Sequence, residues 1–423
     1  MLRLAMVLAT VMLVGGWSGE GESSRIVLRQ GWAEAPPNSP SSAVSGDGRY
    51  VAFVSAARLL PIDTNTLDDI YILERATRQL TLATTPYSGA ASDGTALSPQ
   101  LNADGRYLAF NSLATVLTAA PDRNEADDVF VRNCATGVIS RVSVGPGGQD
   151  ANGRSAHPAI SDDGRWVVFE STATNLVSSG DANGSGYDVY LADLDTATLT
   201  RVGLDEAGRQ FGRSFAPRIS RNGRFVAFAA AAGQSDPTRI DPSAIPQVYL
   251  RDISTGRTVC LSCDLPAGGA RLGAFAPDVN ADGSVVAFAV QSTAARSDIA
   301  LYDQASETIR VITRGGNAQS TNPRVSGDGR VVAFESRASN LLCGKRCREA
   351  EIDENLLPDV YLFERTTARF RRASGARAPW WTPSLGPGID RTGGVVIFSS
   401  REPFGPEDLT SDFDLFVCSP VCL

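Results

Sequence analysis

What most constrains this chain is a short phrase that returns seven times along it. The clearest copy reads Ser161-Asp162-Asp163-Gly164-Arg165-Trp166-Val167-Val168-Phe169. The other copies turn on Gly48, Gly105, Gly223, Gly283, Gly329 and Gly393, and close on Phe53, Phe110, Phe228, Phe288, Phe334 and Phe398. Successive glycines stand 57, 59, 59, 60, 46 and 64 residues apart. A period of this size in β-rich sequence means an array of supersecondary modules.

An apolar stretch of the form Pro-x-Ile/Val-Ser/Asn precedes the phrase, as at residues 158–161, 217–220, 277–280 and 323–326. The Asp-Gly or Asn-Gly step then supplies a tight reversal, because Gly reaches positive φ freely and Asp or Asn tolerates it. A strand of β-branched and aromatic residues follows and closes on the Phe. After a variable loop, a third strand opens on an acid: Asp69, Asp128, Asp188, Asp359 or Asp414, with Gln247 and Asp298 heading looser copies. Thr-Gly turns such as Thr136-Gly137 and Thr255-Gly256 lead into a fourth strand. Four antiparallel strands per unit, repeated radially, predict an all-β, seven-bladed β-propeller. One blade cannot bury two apolar faces alone, so the recurring phenylalanines are read as packing between blades. Each should contribute roughly 1.5–3 kcal/mol.

Seven such units use nearly all of the 423 residues, so residues 25–417 are read as a single domain. Residues 1–18 carry Arg3 and then an apolar core too short to span a bilayer, the pattern of a secretory signal peptide. Residues 19–24 form a short linker, and residues 418–423 a cysteine-containing tail. No later segment reads as transmembrane. Net charge is −8 with no basic run, which argues against nucleic acid or an anionic membrane as partner. Seven cysteines in a secreted chain point to disulfides. Short-loop bridges are expected at Cys343–Cys347 and Cys418–Cys422; Cys260–Cys263 straddles a predicted strand end, and Cys134 is left over.

The two ends of the array are complementary. Arg25-Ile26-Val27-Leu28 aligns without gaps on Arg141-Val142-Ser143-Val144, a fourth strand, yet has no blade of its own. The last unit stops after its third strand. Residues 25–29 are therefore expected to complete blade seven and close the ring, removing an open edge.

First strands of propeller blades face the axis. The residues flanking the recurring proline place His157, Arg218, Asp278, Asn322 and Arg324 there, as candidate channel-binding residues. Arg218, Arg324 and Asp278 would bind an anion or pair among themselves. In the loops before the third strands an acid–amide pattern recurs: Asp63, Asn65 and Asp69; Asp122, Asn124 and Asp128; Asp181, Asn183 and Asp188; Asp353, Asn355 and Asp359. These residues are either calcium ligands, since calcium takes six to eight oxygens, or Asx-turns tied to the strand backbone.

The unit, Ser-x-Asp-Gly-Arg-x-Val-x-Phe followed by Asp-Val-Tyr as in residues 161–169 and 188–190, resembles the TolB-like, or WD40-like, β-propeller repeat of bacterial periplasmic and secreted proteins. The resemblance implies the fold and a periplasmic or secreted location. It is weak for function, since such repeats serve scaffolds, receptors and the non-catalytic domains of peptidases. His157 is the only histidine, and no Gly-x-Ser-x-Gly elbow lies between a strand and a helix. The expectation is a non-catalytic scaffold that binds another envelope or extracellular protein or peptide through its loop-rich face, with the 343–347 loop as the leading contact. The alternatives are a metal-assisted hydrolase or lyase with its site in the axial channel, and a calcium-stabilised surface adhesin.

Overall fold

The computed structural model describes residues 12–13, 26–32, 42–89, 92–120, 122–231, 245–265, 273–293, 296–342, 356–374, 383–401 and 413–418. Seven antiparallel blades of four radial strands, the seventh extended by a short fifth, stand around one axis. Blade 3 shows the plan: Ser155–Ile160 innermost, then Trp166–Ser171, Asp188–Asp193 and, outermost, Thr198–Arg201. Blades 1, 2, 4, 5 and 6 repeat it over residues 42–82, 96–141, 213–260, 274–311 and 320–372.

Every recurring Phe is fully buried. Phe169 lies directly across from Tyr190 on the third strand, with ring centroids 5.8 Å apart. The same stacked pair recurs as Phe53–Tyr71, Phe110–Phe130, Phe228–Tyr249, Phe334–Tyr361 and Phe398–Phe416. Blade 5 lacks it because Ala300 stands opposite Phe288. The core is divided into wedges at the blade boundaries. Val168 and Val189 of blade 3 pack on Ile219 and Phe228 of blade 4, and Ile397 and Leu415 of blade 7 pack on Val51 and Tyr71 of blade 1.

The Asp-Gly turns interlock on one face in a closed circuit of backbone hydrogen bonds. Asp47 N–H donates to the Ala103 carbonyl, Ala103 to Asp162, Asp162 to Arg221, and Asn222 to Ala281. Ala281 N–H donates to Gly327, Asp328 to Arg391, and Arg391 back to Gly46. The residue that follows each turn covers the turn glycine of the next blade. A Cβ on Gly164, where φ is +75°, would stand 2.3 Å from the Tyr107 ring.

The ring closes as the two ends of the chain require. Ile26–Trp32 pairs antiparallel with Phe413–Cys418 as the outer strand of blade 7, with Val27 opposite Phe416. The gapless alignment is out of register, however. Arg141 is the residue opposite the third-strand aromatic in blade 2, and Val27 takes that place, two residues beyond Arg25. A shift of two keeps every side chain on its own face, so a sequence match alone does not detect it. Beyond this strand, Met12–Leu13 pairs with Val27 and Ile26 as a fifth, outermost strand.

Cys260 ends an outer strand and is bonded to Cys263. Cys418 is disulfide-bonded too; its expected partner Cys422 lies outside the described residues, as do Cys343, Cys347 and the rest of residues 343–353. Cys134 is a free thiol pushed up to about 11 by burial. Among the described residues no helix is long and apolar enough to cross a membrane.

Candidate functional site

Around the axis, the residue before the recurring proline adopts a left-handed backbone in blade after blade: Ser98, His157, Ala216, Ala276 and Asn322 all have φ between 49° and 55°. Each sits in a β-bulge. In blade 3, His157 and Pro158 together oppose Phe169, between the pairs Ala156–Glu170 and Ala159–Val168. Such a conformation costs about 1–3 kcal/mol for a residue with a Cβ and survives only where its surroundings enforce it. For His157, Ala216 and Asn322 the partners are acids from the second strands of blades 3 and 6, one residue past the recurring Phe.

Glu170 carries one such contact to each side. Its Oε1 lies 2.9 Å from His157 Nδ1, and its Oε2 accepts the bulge N–H of Ala216, in the next blade, at 2.6 Å. Glu335 does the same two blades before the seam closes: Oε1 accepts Asn322 Nδ2 at 3.0 Å and the N–H of Gly386, in blade 7, at 2.7 Å. Burial pushes the Glu335 carboxyl up, and those two hydrogen bonds oppose it. Asp278 Oδ2 accepts Val325 N–H in blade 6 at 2.7 Å, while Oδ1 stands 3.7 Å from Arg218 Nε in blade 4. Arg218 and Arg324 each donate Nη1 to the carbonyl of the preceding proline at 3.0 Å. Burial, and then the like charge of Arg324, push Arg218 down to about 9 against the pull of Asp278 and Glu170.

Of the residues placed at the axis from sequence, Arg218 and Asp278 thus meet, and Arg324 stands within electrostatic reach of Arg218. His157 and Asn322 are instead held by Glu170 and Glu335. Those two glutamates were not identified from the sequence. Their signal was the position after Phe169 and Phe334, where other blades carry Val54, Asn111, Ala229, Ala289 and Ser399.

The acid–amide loops are built alike. In blade 2 Asn124 Nδ2 donates to Asp128 Oδ2 at 3.0 Å, Asp128 Oδ1 accepts Ser143 Oγ at 2.5 Å, and Arg141 Nη1 lies 2.8 Å from Asp122 and 3.4 Å from Asp128. In blade 3 Asn183 reaches Asp188 at 3.3 Å, Gln210 bridges Asp181 and Asp188, and Arg201 pairs with Asp188. In blade 6 Arg372 pairs with Asp359; Asp353 and Asn355 lie outside the described residues. In blade 1 Asn65 donates to the Ser92 carbonyl, and Asp63 accepts both Asn65 N–H and the Tyr71 hydroxyl. Burial raises Asp69 to about 6 and Asp128 and Asp188 to about 7.

A separate concavity of about 2080 Å³ opens on the perimeter between the outer strands of blades 2 and 3. Val138, Val142, Val177 and Leu199 are among its apolar lining residues, and the largely buried Arg201 and exposed Arg209 also line it. Val138 is 60 % exposed.

No family model matches the sequence, and no curated protein matches it. Solved structures do. The β-propeller domain of the trilobed protease from Pyrococcus furiosus is 12 % identical at a TM-score of 0.54, over 90 % of this chain and 94 % of that one. Oligogalacturonate lyase from Vibrio parahaemolyticus is 11 % identical at 0.53, over 94 % and 96 %. TolB from Acinetobacter baumannii is 17 % identical at 0.45, over 77 % and 63 %, so this chain spans less than two thirds of its length. At these identities the likeness is one of fold.

Proposed function

We propose that this chain is a non-catalytic binding propeller of the periplasm or secreted fraction, whose partner is another protein or peptide. One observation carries the reading. At the axis, where propeller enzymes would place reacting groups, Glu170, Glu335 and Asp278 each accept a backbone N–H of another blade, so these groups hold the ring in register. The groove between blades 2 and 3 offers instead a wide, apolar-walled surface. The Cys260–Cys263 bridge fits an oxidising compartment, as does the signal-like leader at residues 1–18.

A second reading, an enzyme acting at the axis, draws on the His157–Glu170 pair, an acid-oriented imidazole of the kind that serves as a general base. The test runs both together. Capture from an envelope extract is compared for the wild type, Leu199→Asp in the groove and His157→Ala at the axis, alongside turnover of peptide and polysaccharide panels. Capture lost only in Leu199→Asp supports the binding reading. Turnover abolished by His157→Ala overturns it.

A further inference from the structure

The blades differ in one place where they should agree. In blades 2, 3 and 6 the buried acid that opens the third strand has a fixed division of labour. In blades 2 and 6 Oδ1 accepts a hydroxyl, Ser143 on Asp128 and Ser374 on Asp359. In all three Oδ2 faces an arginine: Arg141 at 3.4 Å from Asp128, Arg201 at 3.3 Å from Asp188, Arg372 at 3.4 Å from Asp359. Each arginine comes from one position of the outer strand, the residue directly opposite the third-strand aromatic. Blade 5 supplies Arg296 to Asp298 from its own strand, and blade 4 replaces the acid with the neutral Gln247. In blades 2, 3, 5 and 6 the buried acid that opens the third strand is therefore given a cation, and blade 4 dispenses with the acid.

Blade 1 keeps the acids and lacks the cation. The residue opposite Tyr71 is Leu82. Asp69 is 1 % exposed and Asp63 4 %. Asp69 Oδ1 accepts the Thr84 hydroxyl as its counterparts do and the Asn65 amide stands near the carboxylate, but Oδ2, the atom that meets arginine elsewhere, is buried with no partner at hydrogen-bond distance. No ion pair reaches Asp63 or Asp69 among the described residues. Arg58, which lies beside the loop, donates its Nε to the Asn65 carbonyl instead. In blade 2 the loop acid and the strand acid share one guanidinium, Arg141 Nη1, at 2.8 and 3.4 Å. The repeat thus holds its two acids around a place for a single positive charge.

We propose that the blade 1 pocket between Asp63 and Asp69 binds a hard divalent cation, calcium, in the place that arginine fills in blades 2, 3 and 6. Two carboxylates with backbone and water oxygens are the donor set that calcium favours, and no sulfur or imidazole is offered to a softer metal. Burial excludes a partner's side chain from the pocket and admits a bare ion. Magnesium, which demands near-ideal octahedral geometry and keeps most of its waters, suits so buried a pair of carboxylates less well.

The experiment compares the full chain with Leu82→Arg, which restores the arginine of the sibling blades, and Asp69→Asn. Thermal melting is followed in chelator, in millimolar calcium and in millimolar magnesium. Terbium is the direct probe, because Tyr71, hydrogen-bonded to Asp63, is placed to sensitise its luminescence. The wild type should melt higher in calcium than in chelator and show terbium luminescence that calcium displaces. Leu82→Arg should melt at one temperature with or without calcium and lose the luminescence; if it fails to fold, Asp69→Asn must lose both responses. A wild type whose melting ignores calcium and which shows no displaceable luminescence overturns the proposal. A calcium response that persists in both variants places the ion elsewhere and overturns it equally.

Discussion

At Gly164 two demands meet in one residue: a φ of +75° and a neighbouring ring that leaves no room for a Cβ. A left-handed backbone costs an alanine about 1–2 kcal/mol, and overpacking against Tyr107 adds about 1–3 kcal/mol. Gly147 has the same backbone, φ +73°, and nothing within 4 Å. Gly164→Ala should therefore destabilise by about 2–4 kcal/mol and Gly147→Ala by about half that or less, read from urea midpoints. Tyr107→Ala in the Gly164→Ala background should recover part of the loss; a simple sum of the two losses would mean that the ring is not the obstacle.

Buried carboxylates set a pH dependence at the same scale. Asp128 faces Asp122, Arg141, Asn124 and Ser143, and Asp188 faces Arg201, Asp181, Asn183 and Gln210; for both, burial, reinforced by the neighbouring carboxylate, outweighs the other partners and raises the carboxyl to about 7. An unfolded aspartate titrates near ~3.9, so between these values the folded chain holds protons that the unfolded chain has released. Their stabilising contribution is full below the unfolded value and is lost as pH rises through the folded one. Asp193, held down to about 2 by Arg165, works the other way and weakens the fold only as pH falls through the acid range. The melting temperature should rise from neutral pH towards about pH 5 and fall below about pH 4. A melting temperature that climbs steadily from pH 5 to 7 would contradict the assignment.

At the scale of the element, the bulge next to the axis shows what sequence conveys and what it withholds. The Asp-Gly turns, the alternating second strands and the acid that opens the third strand are local patterns, and each was legible because local chemistry dictates it. The left-handed residue before each proline was not. Ser98, His157, Ala216, Ala276 and Asn322 share no side-chain type, and what holds His157, Ala216 and Asn322 is an acid from another strand or another blade. The arginines that face the buried acids escaped notice for a similar reason. Arg141, Arg201 and Arg372 lie 13 residues from Asp128, Asp188 and Asp359 respectively, and only the ladder register sets each opposite an aromatic ring. Glu335 tests the bulge. Glu335→Ala leaves the Gly386 N–H and the Asn322 amide without their acceptor, at about 1–3 kcal/mol for each buried group. Glu335→Gln keeps one acceptor oxygen and removes a buried charge, so it should cost distinctly less by urea unfolding. Equal losses would show that charge, not the hydrogen bond across the blade boundary, matters there.

For the whole molecule, the question is why the ring stays shut. Seven blades in a row have six internal boundaries, and closure adds one more, where Ile397 and Leu415 meet Val51 and Tyr71. Two features secure that boundary. One is the turn circuit, in which Arg391 N–H reaches the Gly46 carbonyl. The other is the sheet of blade 7, whose outer strand comes from the opposite end of the chain and pairs Ile26 with Val417 and Leu28 with Leu415. Removing residues 24–29 leaves Phe413–Cys418 as an open edge, with its ladder groups unpaired, and frees blade 7 to leave blade 1. Because the blades share boundaries all the way round, the loss should not stay local. The truncated chain should unfold in a single transition at a clearly lower urea midpoint, and amide exchange should quicken in the second strands of blades 1 and 7 together. A synthetic peptide of residues 24–32, added in excess, should restore both. Exchange that quickens in blade 7 alone, with the midpoint unmoved, would mean that the turn circuit by itself holds the ring and that the terminal strand is an accessory to it.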